Sequence, residues 1–426
     1  MTRETPASVF RSISDIVENG MCMGCGLCQS IAGRDRIAVT ITPDGRQRPM
    51  QIAPIEPRDW AQIARTCPGI NVSAPPVEDG IPVDPVWGRL DRVALGHATD
   101  PELRFRAAGG GALTALAASL IARGAVDFVM QVKADPDAPM RTKTVLSRSV
   151  DEVIRASGSR YGPSTPLDSL RAALDLGQRF AIVGKPCDIT GLRNYGREDA
   201  RVAEQCRAML ALVCGGGPEF RKSRDLVHDL GYREGDVTVM RYRGYGNPGR
   251  ARVETRDGQA VELTYAELWD DESKWCSQPR CRLCPDGIGE SADLVSGDFW
   301  PHCQPTREDA GFNSIMVRTE RGREIFEAAQ SAGFLTVVRR LEVADMSFTQ
   351  PHQVSKKREL WARLRGLEVA GHPVMRTEDG LRLRQLAEGQ TLAENLRAAR
   401  GARQRVRRGR FTEASVTPWE DGDPTD

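Results

Sequence analysis

The sequence lacks several features that would assign it to a common class of protein. Its 59 lysines and arginines are balanced by 58 aspartates and glutamates, so charge does not favour nucleic acid or an anionic membrane as a partner. No apolar run is long enough to span a bilayer, and the start, MTRETPASVF, lacks the apolar core of a signal peptide. The five histidines show no metal-ligand spacing. We therefore expect a cytoplasmic protein with no membrane span and no nucleic-acid partner.

Cysteine, in contrast, is well represented, with 11 residues in a chain of 426. In a reducing compartment cysteines are more often metal ligands or redox groups than disulfides. Three of them stand at two-residue gaps in MCMGCGLCQS, and a fourth precedes a proline in a CPG triplet; these are Cys22, Cys25, Cys28 and Cys67. This spacing is typical of a 4Fe-4S cubane. The alternative is zinc, whose structural sites usually use separated C-x2-C pairs.

Residues 1–85 are predicted to form a small ferredoxin-like iron-sulfur module. Apolar residues at helical spacing end at Asn19-Gly20, just before the cysteine loop. A hairpin is expected around Asp44-Gly45. The proline-rich stretch 75–85 is interpreted as a linker.

From about Asp91 the pattern becomes α/β. Gly109-Gly110-Gly111 precedes an apolar helical stripe, and a glycine loop that opens a helix can bind an anionic cofactor. A glycine turn that only packs a helix on a sheet is at least as common. Two apolar strands, 180–183 and 209–213, are followed by Cys187 and Cys214, and open α/β sheets bind ligands at the carboxyl ends of their strands.

A second cluster site is proposed from four further cysteines. Cys187 and Cys214 are joined by a C-x2-C pair in PRCRLC, Cys281 and Cys284. Cys276 is an alternative to Cys214. The other interpretation is that Cys187 and Cys214 are small buried hydrophobic residues, as we expect for Cys206 and Cys303.

The end of the chain, residues 344–426, is predicted to be a helical, arginine-rich extension with a disordered acidic tail. Its arginines are interpreted as a solvated helix face or a contact in a homo-oligomer. Docking of an acidic ferredoxin is the alternative.

Seven motifs in order resemble the beta-subunit family of coenzyme F420 hydrogenases and dehydrogenases, which includes 7-hydroxymethyl chlorophyll a reductases and divinyl chlorophyllide reductases. They are CxxCxxC with CPG, RAAGGGALTAL, GSRYGPS, GKPCDITGLRNY, VCGGGP, PRCRLC with ADLVSGDFW, and GFNSIMVRTERGREIF. The resemblance implies an α/β fold: the iron-sulfur module, a mixed α/β flavin-binding domain in two parts (91–178 and 179–343), and the helical extension.

The resemblance also implies cofactors and the residues that hold them. It places a 4Fe-4S cluster on Cys187, Cys214, Cys281 and Cys284, which gives two clusters in all. It places FAD on the following residues: Arg106, Gly109, Gly110, Gly111, Thr114, Ser159, Arg160 and Tyr161. The chain departs from the family at Ala108, where serine is commoner, and at Pro218-Glu219 in place of Pro-Ser.

Three functions are consistent with these parts. The first is a ferredoxin-dependent flavin reductase acting on a small organic molecule, because flavin converts single electrons into two-electron chemistry. Tyr161, Lys185 and Asp298 are the candidate proton donors, although such loop residues are more often structural. The second is an electron-transfer subunit that exchanges electrons between coenzyme F420 or NAD(P)H and a catalytic partner in a hydrogenase or dehydrogenase. The third is a cluster-bearing sensor that is not an enzyme.

Overall fold

The structure is a computed structural model that describes residues 9–73, 80–269, 277–300 and 310–418. Predictions that concern Cys276, Cys303 and the acidic residues 419–426 lie outside the described residues. Among the described residues, no helix combines the length and the apolar character that a membrane span needs. The division of the chain at residues 85, 178 and 343 stays a prediction.

The N-terminal region is a small arrangement of short helices and one hairpin. Its elements are α1 Ile13–Glu18, α2 Leu27–Ala32, β1 Ile37–Ile41, β2 Gln47–Gln51, α3 Pro57–Thr66 and β3 Asn71–Val72. Helix α1 ends at Asn19-Gly20 as predicted. Strands β1 and β2 form the predicted antiparallel hairpin, and Gly45 has the positive φ, +79°, that the tight turn requires. A short pair, β4 Val83–Asp84 and β5 Gly88–Arg89, leads to the next region.

The central region contains one large mixed sheet. Its strands are β6 Arg92–Ala98, β7 Phe128–Ala134, β8 Thr142–Ser147, β9 Phe180–Gly184, β10 Cys206–Leu212, β14 Leu294–Asp298, β15 Asn313–Val317 and β16 Leu335–Leu341. The spatial order is β16-β6-β15-β14-β10-β9-β7-β8, with parallel pairing from β14 through β10 and β9 to β7. The middle strands are apolar on both faces because helices cover them, as in other parallel sheets.

Helices and a small second sheet surround these strands. The helices are α4 Pro101–Arg106, α5 Ala112–Ala122, α6 Val150–Arg155, α7 Leu170–Asp175, α8 Pro186–Gly196, α9 Arg201–Gln205, α10 Phe220–Asp229, α11 Tyr265–Trp269 and α12 Glu320–Ser331. The second sheet is antiparallel and comprises β11 Val237–Arg241, β12 Ala251–Thr255 and β13 Ala260–Leu263. The mixed α/β architecture predicted from the sequence is confirmed.

The C-terminal extension is helical as expected, but it is not separate from the rest of the chain. Its elements are α13 Val343–Thr349, α14 Pro351–Val369, β17 Arg376–Thr377, α15 Leu383–Glu388 and α16 Leu392–Arg407. Strand β17 pairs with β3 of the N-terminal region, and one hydrophobic cluster joins residues of both regions. Phe411, beyond the last helix, is 2% exposed in that cluster.

Buried charges also attach the extension to the core. Glu290, whose side chain is fully buried, forms ion pairs with Lys357 of α14 and with Arg382. The Lys357 ammonium also donates to the carbonyl oxygen of Val86 at 2.6 Å. Breaking a buried pair leaves an uncompensated charge, so this network fixes α14 against the central region.

Candidate functional site

The first cysteine site is a cavity at the start of α2. All four predicted ligands line it, with apolar neighbours from α1, α2 and α3; they are Cys22, Cys25, Cys28 and Cys67. The loop Met21–Gly26 carries the first two, Cys28 lies in the first turn of α2, and Cys67 directly follows α3. The structure therefore brings together residues that are 45 positions apart in the sequence, as the spacing predicted.

Backbone amides point at these sulfurs. The N–H of Gly24 donates to Cys22 Sγ at 3.3 Å. Burial raises the pKa of the Cys25 and Cys28 thiols well above their ordinary value, and neighbouring thiols raise it further. Burial raises the pKa of Cys67 to about 11. Four thiols that line one cavity, with amide donors beside them, fit an iron-sulfur cubane, whose binding releases the protons that the bare thiols hold.

A buried ion pair closes one side of the first site. Arg48 donates to both carboxylate oxygens of Glu413, at 2.6 and 2.8 Å, and the two side chains are 1% and 3% exposed. The charge of Arg48 lowers the pKa of Cys22, against the larger effect of burial. Glu413 belongs to the tail beyond α16, so the end of the chain forms part of the surroundings of the first site.

The second cysteine site lies at the carboxyl ends of β9 and β10. Cys187 opens α8 after β9, and Cys214 follows β10, while Cys281 and Cys284 come from the loop before β14. Burial is the main cause of the raised pKa of the Cys187 thiol, and the neighbouring thiols of Cys214 and Cys284 raise it further. Burial and the neighbouring Cys281 raise the pKa of Cys214 to about 12. The structure brings these four thiols to one site, and they too fit a cubane.

Basic side chains surround the second site. The ammonium of Lys185 lies 2.8 Å from Asp188 and 2.6 Å from Ser164 Oγ. Burial alone would lower its pKa, but Asp188 and the thiols of Cys187 and Cys214 together raise the pKa above its ordinary value. Lys356 of α14 lowers the pKa of Cys284 and Cys214, although burial dominates for both thiols. The N–H of Gly217 donates to Cys281 Sγ at 3.3 Å.

Arg280 lies between the two cysteine sites. It is 1% exposed and donates to the carbonyl oxygens of Gly69 and Leu283 at 3.0 Å and to that of Pro68 at 3.3 Å. Thiols of both sites interact electrostatically with its guanidinium: Cys67, Cys187, Cys281 and Cys284. Burial lowers the pKa of this arginine. One buried cation therefore joins the loop of the first site to that of the second.

The glycine loop expected to hold FAD packs closely on the end of β14. A Cβ on Gly109 would lie 2.7 Å from Asp298 Oδ1, and one on Gly110 would lie 2.9 Å from Asn313 Oδ1. Asn313 also accepts a hydrogen bond from the N–H of Ala112 at the start of α5, at 3.1 Å. The glycines thus permit close packing, and the same packing holds the loop at the edge of the sheet where the carboxyl ends of the parallel strands meet.

A buried arginine connects this loop to the second segment expected to hold FAD. Arg243 donates to Asp298 Oδ2 at 2.6 Å and to the hydroxyl of Tyr161 at 3.2 Å, and its side chain is 2% exposed. Two predicted proton donors, Tyr161 and Asp298, therefore accept hydrogen bonds from the same guanidinium. Lys185, the third, is held by Asp188 and Ser164.

The remaining predicted flavin residues differ in their contacts. Arg160 donates to the carbonyl oxygens of Met240 and Pro139 at 2.6 and 2.7 Å, and these hydrogen bonds fix the loop that carries Arg160. Arg106 forms a surface ion pair with Glu102 at 3.2 Å. Ser159 directly precedes Arg160, and Thr114 lies in the first turn of α5.

Cys206 lies outside both cysteine sites, and the spacing of possible ligands bears on the zinc alternative. Cys206 is 1% exposed in the hydrophobic core, as expected for a structural cysteine. Across the described part of the chain, no group of three or more histidine, cysteine, aspartate or glutamate side chains is placed to hold a single metal ion. Zinc brings its ligands to one ion, whereas a cubane separates its four thiolates by a whole iron-sulfide core, and the choice between them stays a prediction.

Sequence reasoning missed three residues that shape these sites. They are Arg280, Arg243 and Glu413, charged residues of types that are normally solvated, and none belongs to a recognised ligand spacing. The position of Arg280 beside Cys281 was the one available signal.

The central region matches the two halves of one known family, the coenzyme F420 hydrogenase/dehydrogenase beta subunits. Residues 93–171 match the N-terminal part of that family, and residues 177–341 match its C-terminal part. Together these ranges cover more than half of the chain. Neither reaches the first cysteine site or the extension.

Curated relatives carry similar names. The chain is 25% identical over 246 residues to the F420-dependent formate dehydrogenase subunit beta of Methanocaldococcus jannaschii, covering 58% of this chain and 61% of the relative. It is 24% identical to the coenzyme F420 hydrogenase subunit beta of Methanosarcina barkeri, covering 59% and 82%. It is 27% identical to the chloroplastic 7-hydroxymethyl chlorophyll a reductase of Oryza sativa, covering 52% and 46%. The match spans about three fifths of the length of the formate dehydrogenase beta subunit.

Proposed function

Because the chain belongs to the family of coenzyme F420 hydrogenase and dehydrogenase beta subunits, we propose that it is an iron-sulfur flavoprotein oxidoreductase. In this proposal it passes electrons from a reduced ferredoxin or similar carrier through two 4Fe-4S clusters to FAD and on to an organic substrate. The observation that carries the proposal is the pair of four-cysteine sites with Arg280 between them.

The packing of the two sites supports electron passage between them. Helix α8, which begins beside Cys187, contacts the loop of the first site: a Cβ on Gly191 would lie 3.2 Å from Pro68 Cγ. Pro68 follows Cys67, and Arg280 bonds its carbonyl oxygen. The clusters would be held by Cys22, Cys25, Cys28 and Cys67 at the first site and by Cys187, Cys214, Cys281 and Cys284 at the second.

The residues at the strand ends would bind the flavin and position proton-holding groups beside it. When bound, FAD supplies the change from one-electron to two-electron chemistry. The Gly109–Gly111 loop and the start of α5 lie beside Asp298, which Arg243 fixes together with Tyr161. Arg243 therefore orients two groups that can hold a proton.

The proton donor is tested by conservative variants. Asp298→Asn or Tyr161→Phe at the true donor should reduce turnover by about 10²–10⁴-fold and remove one limb of the pH profile, while iron and flavin contents stay unchanged. Lys185→Met is the comparison, because its ammonium is held by Asp188 and Ser164. Equal small losses for all three variants would remove these residues from proton transfer.

The cofactors are tested by anaerobic purification. We expect about eight irons per chain, matching acid-labile sulfide, and one FAD. Reduced ferredoxin should then bleach the flavin in a single turnover, before any substrate screen. A colourless preparation, or zinc in place of iron, would overturn the proposal, and clusters without flavin would favour the sensor hypothesis.

A second candidate function is an electron-transfer subunit of a larger enzyme. It is favoured by the names of the relatives, which are beta subunits of a formate dehydrogenase and a hydrogenase. In that case reduced coenzyme F420 or NAD(P)H should reduce the bound flavin directly. The chain should also co-purify from its native cells in a stable complex with a larger catalytic subunit.

A further inference from the structure

A large pocket separates the second cysteine site from the C-terminal extension. Its volume is about 530 Å³, which lies in the range of small-molecule sites, about 300–1,000 Å³. Gly215 and Cys281 form the wall on the side of the central region, and α14 and α16 form the opposite wall. The matched family residues end at 341, so the extension supplies a wall that the family match does not include.

The charge of this pocket is of one sign. Four cationic side chains line it: Arg282, Lys356, Arg363 and Arg405. No aspartate or glutamate is among its lining residues in the described part of the chain. Arg363 is paired with Glu359 outside the lining. The other three form no salt bridge with any residue that the structure describes.

Three of the cations, Arg282, Arg363 and Arg405, lie close enough to repel one another electrostatically. Burial lowers the pKa of Arg405, and the charges of Arg363 and Arg282 lower it further, with only Glu359 acting in the opposite direction. Arg363 also donates to the backbone carbonyl of Arg282 at 3.3 Å, which holds the two residues close together. Arg282 and Arg405 are exposed at the pocket, where water screens part of this repulsion, and a bound oxoanion would relieve the rest.

We propose that this pocket binds a small molecule bearing carboxylate or phosphate groups, which Arg282, Lys356 and Arg405 recognise. Arginine binds both oxoanions through paired N–H donors, and lysine adds a point charge. The concave shape fits a small ligand better than the flat surface of an acidic protein. The bound ligand lies against Cys281, apart from the residues expected to hold FAD.

The test is calorimetric titration of the anaerobically purified protein with pyrophosphate and with citrate at constant ionic strength. Saturable binding of either probe is expected. The probe that binds more tightly shows whether the pocket prefers phosphate or carboxylate groups. Arg405→Gln and Arg282→Gln should each weaken binding about tenfold or more, because each removes a charge-assisted contact.

The matched control is Arg400→Gln, which removes an exposed arginine from the same helix but outside the pocket and should bind as the unaltered protein does. Equal weakening by all variants would show a diffuse charge effect and overturn the proposal, as would unaltered binding in Arg405→Gln. Binding of an acidic carrier protein alone, with neither probe bound, would also overturn it. Arg405 lies on α16 and is not one of the residues proposed to hold a cluster or the flavin, so normal iron and flavin contents in that variant separate this outcome from failure of the proposed function.

Discussion

The two cysteine sites contain the same number of thiols in different surroundings. The first is an apolar cavity, and Arg48, the cation that acts on Cys22, is neutralised by Glu413. The second borders a basic pocket and has Lys356 beside two of its thiols. Because a nearby cation favours the reduced form of a cluster, we expect the second site to have the higher reduction potential. Electrons that enter at the first site would then pass downhill to the second.

The largest expected effect comes from removing a ligand of the first site. Cys25→Ser should eliminate about half of the bound iron, since each cubane uses four thiolates, while the flavin stays bound. Iron, sulfide and flavin analysis measures this. Cys206→Ala is the control, because that cysteine lies in the core outside both sites. Loss of all iron in Cys25→Ser would mean that the sites do not form independently.

The next effect concerns the buried ion pair at the first site. Glu413→Gln leaves Arg48 buried without its counter-charge, which typically costs about 3–5 kcal/mol of unfolding free energy. Denaturant unfolding should show this loss, with iron released from the first site. Glu388→Gln is the matched control, because its surface pair with Arg384 is worth about 0–1 kcal/mol. Equal losses in both variants would contradict the role assigned to the tail.

A smaller effect is expected at the cation that the two sites share. A unit charge about 8 Å from a redox centre contributes roughly 2 kcal/mol at an effective dielectric constant of about 20. Arg280→Met should therefore lower both midpoint potentials by on the order of 90 mV, measured by EPR-monitored titration. Arg280→Lys should retain most of the potential. A shift at only one site would show that Arg280 serves that site alone.

The smallest effect separates the two sites most clearly. Lys356→Met should lower the potential of the second cluster by about 20 mV, the value for a water-screened charge, and leave the first unchanged. The same titration measures both potentials. Equal shifts at the two sites would remove the electrostatic difference between them.

The sequence predicted those parts of the sites that local spacing determines. The CxxCxxC loop and the hairpin at Asp44-Gly45 follow from residues near one another in the sequence. The full second cysteine set was implied by the family resemblance, with support from the strand ends at which α/β sheets bind ligands. Arg280 and Arg243 could not be predicted, because burial of a single arginine depends on distant carbonyl groups and carboxylates that meet only in the folded chain. The arginines of α16 are mostly exposed, which agrees with the predicted solvated face, and Arg405, although exposed, also lines a pocket.

The pairing of Arg48 with Glu413 also bears on the order in which the protein can mature. The two residues are 365 positions apart, and a chain emerges from the ribosome with its N-terminal end first. The first cysteine motif is thus synthesised long before the carboxylate that neutralises its neighbouring arginine. A cofactor inserted into the nascent chain would meet an open, positively charged loop, whereas insertion after release would meet a closed and neutral one.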